Sequence, residues 1–191
     1  MGDYTVIAEV SNALAGLLRR QMVPEALMNE ENIGVCSPED RGDIMLGIYL
    51  YDIKPSEALR SSEMQTIDLH SQRYPSSYLE LYYMITAYSN GDVKYRSLEE
   101  QRLLGRALQV FQDFAVISPG EISGAEGDGL PIELQQQALS LEDKMKIWCF
   151  PNKPYKTSLF FKAAPVELMS RKTKRTARVM DIELTLEKES K

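Results

Sequence analysis

Histidine and cysteine are scarce in this sequence, and their scarcity excludes several kinds of chemistry. The 191 residues include one histidine, His70, and two cysteines, Cys36 and Cys149. One histidine is too few for a typical zinc site or for a histidine-activated nucleophile. The cysteines are 113 positions apart, so we interpret both as buried, reduced thiols that act as small hydrophobic residues. We therefore expect neither a metal nor a cofactor, and a dyad of either cysteine with His70 is the unsupported alternative.

Long hydrophobic runs and targeting signals are also missing. Charges or prolines break every apolar run within about ten residues, whereas a membrane-spanning helix needs about 20. The first residues, Met1-Gly2-Asp3-Tyr4, carry an acid where a signal peptide carries a base, and position 6 lacks the serine or threonine of a myristoylation signal. We therefore expect a chain that is made and folded in the cytoplasm and has no membrane partner.

The remaining composition is that of a soluble globular protein. Hydrophobic residues make up 43% of the sequence and charged residues 26%, which excludes disorder, collagen and coiled coil. A chain of 191 residues has the length of one domain. We expect a single domain over residues 1–191, in which 171–191 form a candidate protruding hairpin or arm.

The two signs of charge are unevenly distributed along the chain. Residues 1–150 carry 12 Lys and Arg against 23 Asp and Glu, whereas residues 151–191 carry 10 against 5. Five cations fall within residues 171–178. Such a bipolar chain suits head-to-tail or ring self-association, in which the basic end of one copy meets an acidic surface of another. Nucleic acid is the alternative partner, but this run has no aromatic residue for base stacking and the whole chain is acidic, so we expect none.

Apolar spacing and start signals predict three helices. Residues 5–20 form the first, and a second begins at Ser97, where Glu100 completes a capping box, and stops at 118–120. A short third helix opens at residues 140–143. The predicted apolar stripes of the first two helices are Ile7, Val10, Leu14, Leu17 and Leu18, then Leu104, Ala107, Leu108, Phe111 and either Phe114 or Ala115.

Alternating apolar residues predict the strands of an α/β domain. The predicted strands are 33–36, 43–53, 78–89, 132–139, 155–169 and 178–187. The strand 43–53 is apolar on both faces, so it should be central and covered on both sides. Pro165 should bend or end the strand 155–169, and the basic run links that strand to the last one. Residues 56–77 are polar and are predicted to be irregular.

Tyr78, Tyr82, Tyr83 and Tyr88 all lie on the predicted strand 78–89. We interpret them as core residues whose hydroxyls reach water, which is the usual arrangement of tyrosine over a helix. A binding platform is the alternative.

No segment of the sequence carries a catalytic motif. The glycine-rich segment 118–131 lacks the Gly-Lys-Ser/Thr of a phosphate loop, and Glu126 and Asp128 would repel phosphate yet are too few for calcium, so we interpret it as a mobile loop. Asp181 and Glu183 form the solvent face of a strand rather than an acid–base pair. With no Ser-His-Asp arrangement, metal-spaced cluster or nucleotide fingerprint, the residues predict a protein that is not an enzyme.

Five segments, taken in order, resemble a known family. They are "VIAEVSNALAGLL", "DIMLGIYLYDIKPSEALR", "YPSSYLELYYMITAYS", "EEQRLLGRALQVFQDF" and "LSLEDKMKIWCFPNKPYKTSLFFKAAPVELMS". In this order they are similar to the N-terminal domain family of cap, or tail terminator, proteins in phage-like contractile injection systems, such as the antifeeding-prophage and virulence-cassette particles. The match covers residues 5–170, and its most specific parts are "GIYLYDI" with Pro55 and the stretch 139–159.

The resemblance implies a structural role. Such proteins form a ring, usually sixfold, on the end of the inner tube and contractile sheath distal to the baseplate, where they stop polymerisation and fix length. The implied fold is tail-terminator-like, a mixed, largely antiparallel sheet flanked by helices, without catalytic residues. The implied partners are further copies in a ring, expected to be a hexamer, the inner tube protein and the sheath protein. The implied location is a phage-tail-like particle that is made in the bacterial cytoplasm and can be released from the cell.

The sequence departs from this family in one respect. Several relatives carry a further C-terminal domain, and this sequence ends at Lys191. A cap adaptor or an assembly chaperone of the same particle therefore stays open as the alternative function.

The basic run and the acidic loop supply the candidate interface residues. Strand addition would be an economical way to dock on a tube or sheath ring, because backbone hydrogen bonds supply affinity and alternate side chains fix the register. A closed ring satisfies such contacts without open growth. The residues expected at or near contacts between subunits are the cations Lys172, Lys174, Arg175 and Arg178 and the acids Glu126 and Asp128.

Overall fold

The computed structural model describes residues 3–59, 61–68, 70–122 and 129–175. In these ranges the chain forms three α-helices, two short 3-10 helices and nine strands. The α-helices are α1 (Val6–Met22), α2 (Val93–Asp113) and α3 (Leu141–Ile147). The strands are β1 (Ile33–Val35), β2 (Leu46–Pro55), β3 (Gln65–Thr66), β4 (Ser71–Arg73), β5 (Ser77–Ala87), β6 (Val116–Ile117), β7 (Ile132–Gln136), β8 (Ser158–Leu168) and β9 (Thr173–Arg175). None of the helices in these ranges is long and apolar enough to cross a membrane.

Six of the strands form one mixed, largely antiparallel sheet, here called the large sheet. Its order is β1-β2-β5-β8-β7-β6, in which β1 and β2 are parallel and all other neighbours are antiparallel. The predicted fold class is therefore confirmed. The strand predicted to be central, β2, is an internal strand, but β5 and β8, each 11 residues long, form the middle of the sheet.

Helices α1 and α2 cover one face of the large sheet and enclose the main core. In α1 the residues Val10, Leu14 and Leu18 recur every four positions, which places them on one face of the helix, and all three are buried. Apolar side chains of β2, β5 and β8 lie beneath them. Each fully buried apolar side chain contributes roughly 1.5–3 kcal/mol, so this cluster dominates the stability of the fold.

Tyr83 of β5 points into this core beneath α1 and is fully buried. The expectation that its hydroxyl reaches water is therefore wrong. A buried hydroxyl needs a partner inside the protein, and the Tyr83 hydroxyl lies 2.9 Å from Ser11 Oγ. Ser11 Oγ in turn donates to the carbonyl of Ile7 at 3.0 Å, so the hydroxyl of Tyr83 is the donor to Ser11.

The opposite face of the large sheet carries a second, smaller apolar cluster. Met84 of β5 and Phe160 of β8 are buried there together with Trp148, which follows α3. The indole N–H of Trp148 donates to the carbonyl of Pro154 at 3.0 Å, which fixes the segment that leads into β8. The predicted start of α3 is confirmed, because the Ser140 hydroxyl accepts from the N–H of Asp143 at 3.1 Å.

Helix α2 begins earlier than the sequence predicts. Asp92 is its N-cap, and its carboxylate accepts from the N–H of Lys94 at 3.0 Å, so the predicted start at Ser97 is wrong. Aspartate is among the strongest N-cap residues. The predicted stripe is also incomplete, since Leu103 and Val110 are buried as well, and Phe114 is instead 42% exposed.

Strand β8 continues through Pro165 by way of a bulge. Leu79 pairs with Val166 and Leu81 with Ala163, so two residues of β8 stand opposite Glu80. A bulge is one of the few places in a sheet that accept proline, because the ladder there needs no N–H. The sequence predicts that the strand bends or ends near Pro165; it carries a register shift there and ends three residues later, at Leu168.

Three short strands form a second sheet, here called the small sheet, in the order β3-β4-β9. The expectation that residues 56–77 are irregular is wrong for β3 and β4, and part of the basic run is itself strand β9 rather than a link. The pairs Ser71–Arg175 and Arg73–Thr173 join segments that are distant in sequence, so local patterns could not reveal them. The predicted strand 178–187 lies outside the described residues.

Candidate assembly surfaces

The structure gives no metal-binding cluster in the part of the chain that it describes. Within the described ranges, no group of three or more His, Cys, Asp or Glu residues could hold a metal. Cys149 is exposed, so the expectation of two buried thiols is wrong for it, and Cys36 is half-buried. Burial raises the pKa of the Cys36 thiol, and the Arg41 charge opposes that shift. A raised pKa lowers the fraction of reactive thiolate.

Three of the predicted interface cations lie together at the end of the described chain. Lys172, Lys174 and Arg175 are exposed, and the last two belong to β9. We call the four residues Lys172–Arg175 the basic strand. The backbone carbonyl of Lys172 accepts from the N–H of Tyr74 at 3.0 Å, which extends the pairing of β9 with β4.

The neighbouring Arg171 differs from these cations because its charge is already paired. Its Nη2 lies 2.8 Å from Asp3 Oδ2, and its guanidinium carbon lies 5.2 Å from the centroid of the Tyr4 ring. The hydrogen bond from Arg171 lowers the pKa of Asp3. Within the described residues, no carboxylate pairs with the three cations of the basic strand. As far as the described residues show, this strand is therefore a concentration of positive charge without carboxylate partners.

The other predicted interface residues cannot be placed on a surface. Arg178, Glu126 and Asp128 lie outside the described residues, so their proposed part in subunit contacts stays a prediction.

The outer edges of the large sheet are short. At one end, β1 has three residues, and the carbonyl of Ile33 accepts from Nε and Nη2 of Arg19 at 3.0 and 2.6 Å. At the other end, β6 has two residues. Short or covered edges prevent unwanted strand pairing. The expected docking by strand addition is thus not favoured at either end of this sheet.

A cavity of about 150 Å³, here called the Tyr88 pocket, lies between the end of β5, the start of α2 and the segment before β8. Two of its cations pack on the Tyr88 ring, with the Arg41 guanidinium carbon 4.8 Å and Lys156 Nζ 5.5 Å from the centroid. Burial raises the pKa of Tyr88 to about 12, so its hydroxyl stays neutral. The charged residues that line the pocket are Arg41, Arg96, Glu100, Lys153 and Lys156.

The Tyr88 pocket contains one carboxylate, that of Glu100. Oε1 of Glu100 accepts from the N–H of Ser89 at 3.1 Å and lies 2.5 Å from Lys156 Nζ. This role differs from the capping box that the sequence predicts for Glu100. The sequence offers no local signal for the pocket, because its four cations are spread over residues 41–156.

On the face of the large sheet that carries the smaller apolar cluster, a row of charged side chains forms ion pairs and hydrogen bonds within itself. Lys162 Nζ lies 3.6 Å from Glu80 Oε1, and the Tyr82 hydroxyl donates to Glu80 Oε2 at 2.7 Å. Lys54 Nζ lies 4.8 Å from the centroid of the Tyr82 ring and 3.4 Å from Asp52 Oδ2. These two lysines are therefore already paired with carboxylates of the same face.

Comparison with solved structures finds the same fold in two components of contractile injection systems. One is a sheath/tube terminator of an extracellular system, the PVC particle, in its extended state, with a TM-score of 0.63 and 18% identity. The other is the tube-terminating cap of the anti-feeding prophage, with a TM-score of 0.64 and 19% identity. The matches cover 96% and 93% of this chain but 64% and 60% of those chains. The chain thus spans less than two thirds of each.

The family comparison gives the classification. No curated protein sequence matches the chain. A family model described as the Pvc16 N-terminal domain matches residues 9–181, nearly the whole length. This match and the two solved structures confirm the resemblance drawn from the sequence segments. The chain belongs to the Pvc16 N-terminal domain family.

Proposed function

We propose that this chain is a structural cap or terminator subunit of a contractile injection system. In this role it sits on the distal end of the inner tube and sheath, ends their polymerisation and fixes their length. The observation that carries the proposal is the fold, which 96% and 93% of the chain share with a sheath/tube terminator and a tube-terminating cap. Membership of the Pvc16 N-terminal domain family supports it.

The proposed partners are the inner tube protein, the sheath protein and further copies of the chain in a ring, expected to be a hexamer. A ring is favoured on physical grounds, because a heterologous contact that does not close would grow into a filament. The proposed location is a phage-tail-like particle that is assembled in the bacterial cytoplasm and can be released from the cell.

The proposed role requires no chemistry, so we also propose that the chain is not an enzyme and takes no cofactor. The half-buried Cys36, with its raised pKa, is a poor nucleophile. We propose no nucleic-acid partner, because the basic run 171–178 contains no aromatic residue on which bases could stack. We propose no membrane partner either.

The small sheet is the proposed contact surface of the single domain formed by residues 1–191. None of the residues in its three strands is buried, so it has no apolar face of its own. A sheet this small gains little from burial and is marginal by itself. A partner surface with acidic residues would shield it and pair with its excess charge. The cations proposed to lie at or beside this contact are Lys172, Lys174, Arg175 and Arg178.

Deletion of the coding gene tests the proposed function. Without a terminator the tube has no stop signal, so electron micrographs of particles from the deletion strain should show overlong or uncapped, unstable tubes. Restoring the gene should return the normal length distribution. Normal lengths and intact ends in the deletion strain would contradict the proposal.

Of the alternative roles, cap adaptor and assembly chaperone, the chaperone makes a different prediction. A chaperone leaves the particle after assembly, so it would be absent from purified mature particles. A terminator or adaptor stays, and quantitative mass spectrometry of purified particles separates the two cases.

A further inference from the structure

We propose that the Tyr88 pocket binds carboxylates of a second copy of this chain, supplied by its acidic residues 121–133. The contact rests on the proposed function, in that it joins neighbouring subunits of a cap ring. It is distinct from the basic strand, which lies on the small sheet.

The pocket has more positive charge than its own residues can neutralise. Glu100 is paired with Lys156 at 2.5 Å. Arg41 and Arg96 donate to backbone carbonyls, those of Ile44 at 3.0 Å and Gly91 at 3.3 Å, rather than to carboxylates. Lys153 is exposed and forms no ion pair within the described residues. Three cations thus converge on the cavity without a matching acid among the residues that the structure describes.

The excess of positive charge makes the Tyr88 pocket selective for acidic groups, because the chain as a whole is acidic, with a net charge of −6. A local positive site on a negative surface attracts an acidic group and repels lysine-rich or arginine-rich surfaces. The buried rings of Tyr88 and Trp148 set the shape of the pocket. Tyr88 and Trp148 are 6% and 7% exposed, and the cavity of about 150 Å³ beside them admits a carboxylate-bearing side chain.

The proposed occupant is strongly acidic. Residues 121–133 contain four carboxylates, those of Glu121, Glu126, Asp128 and Glu133, and no lysine or arginine. Glu121 and Glu133 are exposed. The segment is anchored on both sides of residues 123–128, since Ile122 is 6% exposed and Gly129 lies against the ring of Pro119.

Pocket and occupant are different surfaces of the subunit. The pocket lies between the end of β5 and the segment before β8, the two strands in the middle of the sheet order. The acidic segment connects β6, the last strand, to β7. A closed ring needs two different complementary surfaces on each subunit. Since both edge strands are too short for strand pairing, side-chain charges on these two surfaces supply the complementarity instead.

Reciprocal charge reversal in particles tests the contact. The variant Arg96→Glu with Lys153→Glu reverses the charge of the pocket. The variant Glu126→Lys with Asp128→Lys reverses the charge of the acidic segment. All four substitutions together give the two surfaces opposite charges again. The matched control is Arg102→Glu with Lys146→Glu, because both cations are exposed and lie outside the pocket. Copies per particle are counted by mass spectrometry, and thermal melts of the isolated chain confirm that each variant folds.

Each two-site reversal should lower the number of copies per particle at least about fivefold, whereas the control and the four-site variant should stay within about twofold of the unmodified chain. Full occupancy of either reversed variant would overturn the pocket contact and leave the cap proposal standing. Loss in both without recovery in the four-site variant would overturn the pairing of these two surfaces. Absence of the unmodified chain from particles would instead contradict the proposed function.

Discussion

At the scale of single residues, the hydroxyl pair of Ser11 and Tyr83 ties α1 to the middle of the large sheet. The Tyr83 hydroxyl has its partner at 2.9 Å and is fully buried, so it has no access to water. The hydrogen bond is directional, because the proton of Ser11 is used on the Ile7 carbonyl. The sequence predicts Tyr83 as a core residue but not this partner, which lies 72 positions away.

The direction of this hydrogen bond predicts unequal effects for two conservative substitutions. Ser11→Ala leaves the buried Tyr83 hydroxyl without a partner, which should lower the free energy of unfolding by about 1–3 kcal/mol. Tyr83→Phe removes the donor and leaves Ser11 bonded to Ile7, so the loss should be only about 1 kcal/mol. Urea denaturation measures both values. A smaller loss for Ser11→Ala would show that the donor has been misassigned.

The buried tyrosines predict a loss of stability at alkaline pH. Burial raises the pKa values of Tyr51, Tyr83 and Tyr88 to about 12, above the value of about 10 expected in the unfolded chain. The folded protein therefore holds these protons more tightly than the unfolded protein does. Their contribution is fully present below about pH 10 and is lost as the pH rises towards 12.

Denaturant titrations over this alkaline range, with tyrosinate absorbance recorded in parallel, measure the effect. Tyr83→Phe serves as the control and should show a shallower decline, because one of the tyrosines with a raised pKa is missing. Tyrosinate signals that appear in the folded protein at the unfolded pKa would contradict the prediction.

At the scale of elements, local signals account for most of the large sheet and for little of the small one. Helix α1 and strand β5 follow from the sequence because their apolar residues repeat with the period of a helix or a strand. The small sheet does not, because Arg73 pairs with Thr173, 100 positions further along, and both strands are polar. Strand pairing between distant polar segments leaves no periodic trace in a sequence.

The start of α2 shows how one local signal can compete with another. Ser97 and Glu100 have the spacing of a capping box, but Asp92 after Gly91 begins the helix one turn earlier. Glu100 lies within the helix, and its carboxylate pairs with Lys156 instead of capping the helix. The Tyr88 pocket could therefore not be predicted from the capping pattern.

Substitutions at Asp92 and Ser97 test which of the two residues begins α2. Asp92→Ala should cost about 1 kcal/mol of stability, the usual loss for an N-cap carboxylate. Ser97→Ala, as the matched control at the start predicted from the sequence, should change it by less than about 0.5 kcal/mol. Thermal or urea unfolding of the two variants decides between the starts. A larger loss for Ser97→Ala would favour the capping box.

At the scale of the whole molecule, the uneven charge has structural consequences at two places. The basic strand carries Lys172, Lys174 and Arg175 without carboxylate partners in the described residues, and the Tyr88 pocket gathers further cations. Both lie on a chain whose net charge is −6. Contacts between unlike surfaces of identical copies are what a ring requires.

The basic strand predicts a salt-sensitive assembly. Replacing Lys172, Lys174, Arg175 and Arg178 with Glu should reduce the number of copies per particle, because each contact in the ring would change from attraction to repulsion. Each exposed pair contributes only about 0–1 kcal/mol, but a ring repeats the contact in every copy. The unmodified contact should weaken in high salt, since screening shortens the range of exposed charges.

The isolated four-site variant should unfold at the temperature of the unmodified chain, since the described positions among the four contribute no buried side chain. Normal occupancy of particles by this variant would contradict a role of the basic strand in assembly.

The central claim, that this chain terminates the tube and sheath, is tested most directly by locating it on the particle. An affinity tag on the chain, labelled with gold and imaged by electron microscopy on intact particles, reports its position. We expect label at one end of each particle only, opposite the baseplate. Label along the length of the sheath, at the baseplate or on no particle at all would contradict it.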